Sequence, residues 1–108
     1  MTNPKMKPWR EQVGGEALKS RPTSTIWAER HVPVKLSLYF CMPMPKKPVK
    51  NRPTPSVKPD IDKLCRACLD AMSGILYVDD GQVTTLIAQK TYSVQPRLTV
   101  IAETDWLL

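Results

Sequence analysis

Two pairs of carboxylates carry the spacing that could do chemistry. Asp60 and Asp62 stand two residues apart ahead of an amphipathic run, and Asp79 and Asp80 stand side by side before Gly81. Both pairs lie in one stretch, KPDIDKLCRACLDAMSGILYVDDGQV at 58–83. With Asp70 it holds half of the chain's ten acidic residues. Carboxylates brought within a few Å of one another raise each other's pKa or require a cation between them. The natural cation is Mg²⁺, a hard ion that prefers carboxylate and water oxygens and that phosphodiester-cleaving enzymes use to activate water and clamp a leaving oxygen. Lys63 and Arg66 bring positive charge beside the first pair, where it can offset charge on a phosphate. Each acid also has a purely structural use: Asp60 as a helix N-cap, Asp62 as a first-turn carboxylate favoured by the helix dipole, Asp79 or Asp80 in an Asp-Gly turn. Lys63 and Arg66 have one too, as members of helix-surface ion pairs.

The rest of the charge is positive. The formal net charge is +6 and the pI near 9.4, a balance that favours a polyanionic partner, nucleic acid ahead of an anionic membrane surface. From Arg30 to Pro59 there are seven Lys or Arg residues and no acid. Most of this field lies in a proline-rich arm at 42–59, MPMPKKPVKNRPTPSVKP, which can neither continue a helix nor donate fully to a sheet. Lys46, Lys47, Lys50, Arg52 and Lys58 are candidates for gripping a DNA backbone without reading its sequence. An ordinary solvated loop is the alternative.

Elements must position these residues. Ile61, Leu64, Cys65, Cys68, Leu69 and Met72 recur with helical spacing and predict one continuous buried face. Gly74 is placed to stop that helix in a left-handed conformation, and ILYV at 75–78 then has strand composition. If helix and strand pack antiparallel through Ser73 and Gly74, their far ends meet and the four carboxylates gather at one end of the domain. Upstream, Val34, Leu36, Leu38 and Phe40 alternate as a half-buried strand. QVTTLIAQKTYSV and RLTVIAE read as two more, with Leu98, Val100 and Ala102 on one face of the last. Residues from Pro8 to about Lys19 read as a weak or broken helix because of Gly14 and Gly15. This order predicts an α+β layer with helices on one face of a small sheet.

With 108 residues, 42% of them hydrophobic, the chain fits a single domain over 1–108 with one core. Its N-terminus has no apolar stretch long enough for a signal peptide or membrane span, which predicts a cytoplasmic protein. Three cysteines, an odd number without a secretory signal, argue against a disulfide framework. Cys65 and Cys68 form a C-x-x-C, but they fall on the apolar stripe of the helix and read as buried thiols. A zinc site would have to recruit Cys41 and His31, and His31 reads instead as a strand-edge residue.

KPDIDKL, Arg66, LDAM, Gly74 and YVDDGQV together resemble the RusA-type Holliday junction resolvases and their phage-encoded relatives. The likeness is close over 58–83, and the flanking strands agree in general pattern. It implies a small mixed sheet, here with the N-terminal strand shortened or missing because the chain opens almost directly into PWREQV. It also implies a homodimeric, Mg²⁺-dependent endonuclease of a bacterial or phage-infected cell. Such an enzyme resolves four-way DNA junctions by paired symmetric nicks during recombination and repair. The family's metal-binding carboxylates fall on Asp60, Asp62 and Asp80, with Asp79 beside them, and its essential basic residue falls on Arg66. Arginine keeps the charge of the family's lysine but not its capacity to transfer a proton. Asp70 matches the motif and receives no catalytic role. The rival readings are a DNA-binding module without catalysis, in which the acids are only caps and turns, and a truncated, inactive member of the family. An apolar tail at Trp106, Leu107 and Leu108 offers surface to a second subunit or ends the chain without contact.

Overall fold

The computed structural model describes residues 7–21, 25–47 and 53–104. Its elements follow in the order α1 (Lys7–Ser20), β1 (Val34–Pro43), α2 (Ile61–Met72), a 3-10 turn (Asp80–Gln82), β2 (Val83–Ser93) and β3 (Arg97–Glu103). β1 is the central strand, parallel to β2 on one side and antiparallel to β3 on the other. A parallel pair cannot be closed by a hairpin, so the chain between β1 and β2 must cross over, and α2 lies on that crossover. The arrangement is α+β, as the pattern of elements predicts, and the small sheet is mixed, as the resemblance implies.

Alternation along β1 sends Val34, Leu36, Leu38 and Phe40 to one face, and all four are buried against the apolar stripe of α2. Leu64, Cys65, Cys68 and Met72 of that stripe are buried, Leu69 is half-buried, and Ile61 at the helix head is exposed. Burying each of the larger side chains contributes about 1.5–3 kcal/mol, and Leu76 and Tyr77 after α2 join the same cluster. Gly74 takes the left-handed conformation expected after the helix, with φ 81°.

Four local expectations are corrected. α1 is one unbroken helix, because Gly14 is where it meets α2: a β-carbon there would lie 3.0 Å from the Ala71 carbonyl oxygen and 3.3 Å from Ile75 Cδ1. The close approach offsets the poor helix propensity of glycine. ILYV is not a strand. Gly74 N–H donates to the Tyr77 carbonyl at 2.7 Å, and the Ile75 and Leu76 amides turn back onto Met72 O, so the backbone is satisfied locally. Only isolated bridges from Tyr77 to Ala28 and Ser73 remain, and the sheet has three strands rather than four. β1 runs on to Pro43, which takes the first two residues of the expected arm into the sheet. His31 is an exposed turn residue with φ 71°, not a strand edge.

Candidate functional site

Asp60 occupies the N-cap position of α2 but does not act as a cap: its backbone is extended and its carboxylate bonds none of the free helix amides. The carboxylate turns instead to Lys58, whose Nζ lies 3.4 and 3.3 Å from its two oxygens, and Lys63 Nζ stands 3.7 Å away. The Lys58 hydrogen bond, helped by the charges of Lys58, Lys63 and Lys90, holds the Asp60 carboxyl below its ordinary range, so it stays ionised at neutral pH. Two residues on, Asp62 is exposed in the first turn of the helix. Arg66 follows four residues later, which places it on the same helix face. Among the described residues neither Asp62 nor Arg66 makes a hydrogen bond or ion pair, so both heads face solvent uncommitted.

The second acidic pair is held by Gln82. Its Oε1 accepts from the Val78 and Asp79 amides at 2.7 and 3.0 Å. Its Nε2 donates to the carbonyls of Glu29 at 2.8 Å, Val32 at 3.1 Å and Ala28 at 3.4 Å. One buried amide thus ties the Asp79–Asp80 turn to the loop that feeds β1. Asp79 caps the 3-10 turn, its Oδ2 accepting from the Gly81 amide at 2.9 Å. This leaves Asp80 exposed, with no hydrogen bond or ion pair among the described residues.

The four carboxylates are not gathered into one group. Among the described residues no three of His, Cys, Asp or Glu stand together as a set that could hold a metal ion. The reason lies in ILYV: the chain reverses within a tight turn instead of returning as an antiparallel strand, so Asp79 and Asp80 reach α2 through the 3-10 turn. There burial disfavours the Tyr77 phenolate, and the charges of Asp80 and, more weakly, Asp70 add to that. The donor chemistry nevertheless fits a hard divalent cation, since every candidate ligand is a carboxylate oxygen and Asp62 and Asp80 are unengaged. Asp60 would have to exchange the Lys58 ammonium for the ion.

Of the arm's basic residues, Lys46, Lys47 and Lys58 are exposed, and Lys50 and Arg52 lie outside the described residues. So do Trp106, Leu107 and Leu108. Where the arm reaches α2 it is anchored by Lys90 of β2, whose Nζ donates to the carbonyls of Val57 and Pro59, both at 2.8 Å. Neither this lysine nor Gln82 was legible as part of the site. For Gln82 a signal existed in its spacing, three residues after Asp79 as in a capping box.

Cys65 and Cys68 pack in the core beneath α2. Burial pushes the Cys68 thiol up to about 12 and the Cys65 thiol in the same direction, so neither is a thiolate at neutral pH. Alkylation of the native protein at pH 7.5 is therefore expected to modify half-buried Cys41 first. Cys65 and Cys68 should react only on unfolding, and peptide mass mapping after a timed quench checks the order.

The sequence matches a known family. The family model for endodeoxyribonuclease RusA matches residues 1–103, nearly the whole chain and all of the 58–83 segment. The chain belongs to the RusA endodeoxyribonuclease family. RusA membership supports a nuclease acting on Holliday junctions, with four-way DNA as its substrate. The chain is also 32% identical over 107 residues to the uncharacterized protein YqaN of Bacillus subtilis (strain 168), an alignment covering 90% of this chain and 72% of that protein. No solved structure matches. Among the described residues no helix of this RusA-family chain is long and apolar enough to cross a membrane.

Proposed function

We propose that this RusA-family chain is a Mg²⁺-dependent endonuclease that resolves four-way DNA junctions, as a homodimer, by paired symmetric nicks. The observation that carries the reading is the state of Asp62 and Asp80: both are exposed and unpaired among the described residues, on segments held by α2 and by Gln82, within the motif that the RusA model matches. Asp60, Asp62 and Asp80, with Asp79 beside them, would hold the ion. When bound, it supplies an activated water and offsets charge on the leaving oxygen.

The chain's own side chains do the rest. Arg66, free on the face it shares with Asp62, stabilises charge developing on the scissile phosphate, and Lys63 adds to that field from the first turn. Lys58 neutralises Asp60 in the free protein; a cation held by the carboxylate would take its place there and leave the ammonium to a DNA phosphate. Lys46, Lys47, Lys50 and Arg52 position the DNA backbone. Changing Lys46, Lys47 and Lys50 to alanine is expected to weaken binding to all sequences alike. The slope of log affinity against log salt should flatten by up to about 0.9 per lost contact. An unchanged slope in a fluorescence titration would remove the arm from the interface.

One active site cuts one strand, and resolution needs two opposed cuts, so a two-fold dimer suits a two-fold symmetric junction. The test is incubation of purified protein with synthetic four-way and linear duplexes, with and without Mg²⁺, followed by a cruciform plasmid. Mg²⁺-dependent cleavage of the four-way substrate and linearisation of the plasmid by paired nicks are expected, together with a dimer in sedimentation. Metal-independent binding without cleavage would leave the DNA-binding module as the reading. A monomer that only relaxes the plasmid would leave a simpler nuclease.

A further inference from the structure

The approach to Asp60 is unusual in what holds it. Residues 53–60 lie outside helix and sheet, and the Val57 and Pro59 carbonyls point to neither ladder. Both are taken by a single ammonium, Lys90 Nζ, at 2.8 Å each. Lys90 is placed by the sheet, not by the arm: it lies on β2 in parallel register with Phe40, a buried residue of the central strand. Its stem is therefore set by the pairing of β2 with the central strand, and its head spans to the peptide that immediately precedes Asp60. The motif's other anchors act elsewhere, Gln82 on the Asp79–Asp80 turn and the apolar stripe on α2.

We propose that Lys90 is a positioning residue of the acidic site: by clamping the Val57 and Pro59 carbonyls it fixes the arm as it enters α2 and so sets where the Asp60 carboxylate is presented. The inference rests on the nuclease reading given above. It assigns β2 a share in a site that otherwise draws on α2 and the 3-10 turn. A partner one shell removed from a metal ligand acts by orienting it, so its loss shows as weaker metal binding rather than as lost grip on DNA.

Lys90→Met keeps the stem and removes both bonds, whereas Lys90→Arg keeps donors that can reach both carbonyls. Mg²⁺ binding to the DNA-free protein is read by calorimetry, the Mg²⁺ requirement of junction cleavage by titration, and the order of the arm by the Val57 methyl and Asp60 amide resonances. For Lys90→Met we expect Mg²⁺ affinity to fall about tenfold and the Mg²⁺ concentration for half-maximal cleavage to rise by the same factor, with metal-free junction affinity within about twofold of the parent. The Val57 and Asp60 signals should broaden, and Lys90→Arg should recover most of each change. Parental Mg²⁺ affinity and unchanged signals in Lys90→Met overturn the proposal. So does a loss confined to junction affinity, which would make Lys90 a DNA contact. If the parent neither binds Mg²⁺ nor cuts, the nuclease reading fails with it. Unchanged Val57 and Asp60 signals in the variant reject Lys90 alone.

Discussion

Asp62→Asn is expected to abolish junction cleavage while leaving junction binding equal to or tighter than that of the parent. The substitution keeps the size of an exposed first-turn side chain that makes no hydrogen bond or ion pair among the described residues, so the fold loses only the favourable placement of its charge at the helix N-terminus, about 0.3–1 kcal/mol. What it removes is an anionic oxygen donor, and with it one negative charge beside the DNA. Loss of a partner that merely supports a metal ligand costs about 10–100-fold, so loss of a ligand itself should reach at least about a hundredfold in cleavage rate. Asp70→Asn is the matched control. Asp70 lies on the same helix, is also exposed and has no proposed part in the chemistry, so its loss should change cleavage little and stability within about 0.5 kcal/mol, as for other surface changes. Gel-shift and cleavage assays on one synthetic junction measure both. Comparable nicking by Asp62→Asn and the parent would remove Asp62 from the metal site, and equal loss at both positions would indicate misfolding.

Gln82→Leu should be the most destabilising single change near the site. It removes the acceptor of the Val78 and Asp79 amides and the donor to the Ala28 and Val32 carbonyls, at a residue that is 9% exposed, while the Glu29 carbonyl keeps the Val32 amide at 3.0 Å. A buried polar group left without a partner costs about 1–3 kcal/mol, and relaxation toward water recovers only some of these, so a total loss of about 3 kcal/mol or more is expected. For a domain of this size that is a fall in Tm of at least about 12 °C. Gln82→Glu separates the two halves of the clamp. It retains an acceptor for the amides but turns a carboxylate oxygen toward three carbonyls, and it should be at least as destabilising at neutral pH. Its deficit should shrink as pH falls and the carboxyl protonates to become a donor again. The sign follows because a glutamate facing carbonyls has its folded pKa raised above the unfolded value, so protonation on folding contributes stability that is lost as pH rises through the folded pKa. Urea melts of both variants across pH check this, and a parental midpoint for Gln82→Leu would show that the clamp carries no stability.

Much of this protein follows from local pattern. Strict alternation at Val34, Leu36, Leu38 and Phe40 and helical spacing from Leu64 to Met72 specify the two elements of the core, because burial is the largest favourable term and only one period suits each. The φ > 0 turn at Gly74 follows from the same local reading, as does the family, since an acid pair, a helix and a second acid pair at fixed spacing form a long ordered motif. Tertiary contact decided the rest. Gly14 and Gly15 read as a helix break until Gly14 is seen as a point where α1 closely approaches α2. ILYV has strand composition, yet its backbone partners lie in its own turn and at Ala28, and β propensity records only fitness for a half-buried surface. The placement of Asp60 depends on Lys58 and Lys63 nearby in sequence but on Lys90 from another strand. That contact exists only because β2 pairs in parallel with β1, a long-range register that composition and spacing do not encode.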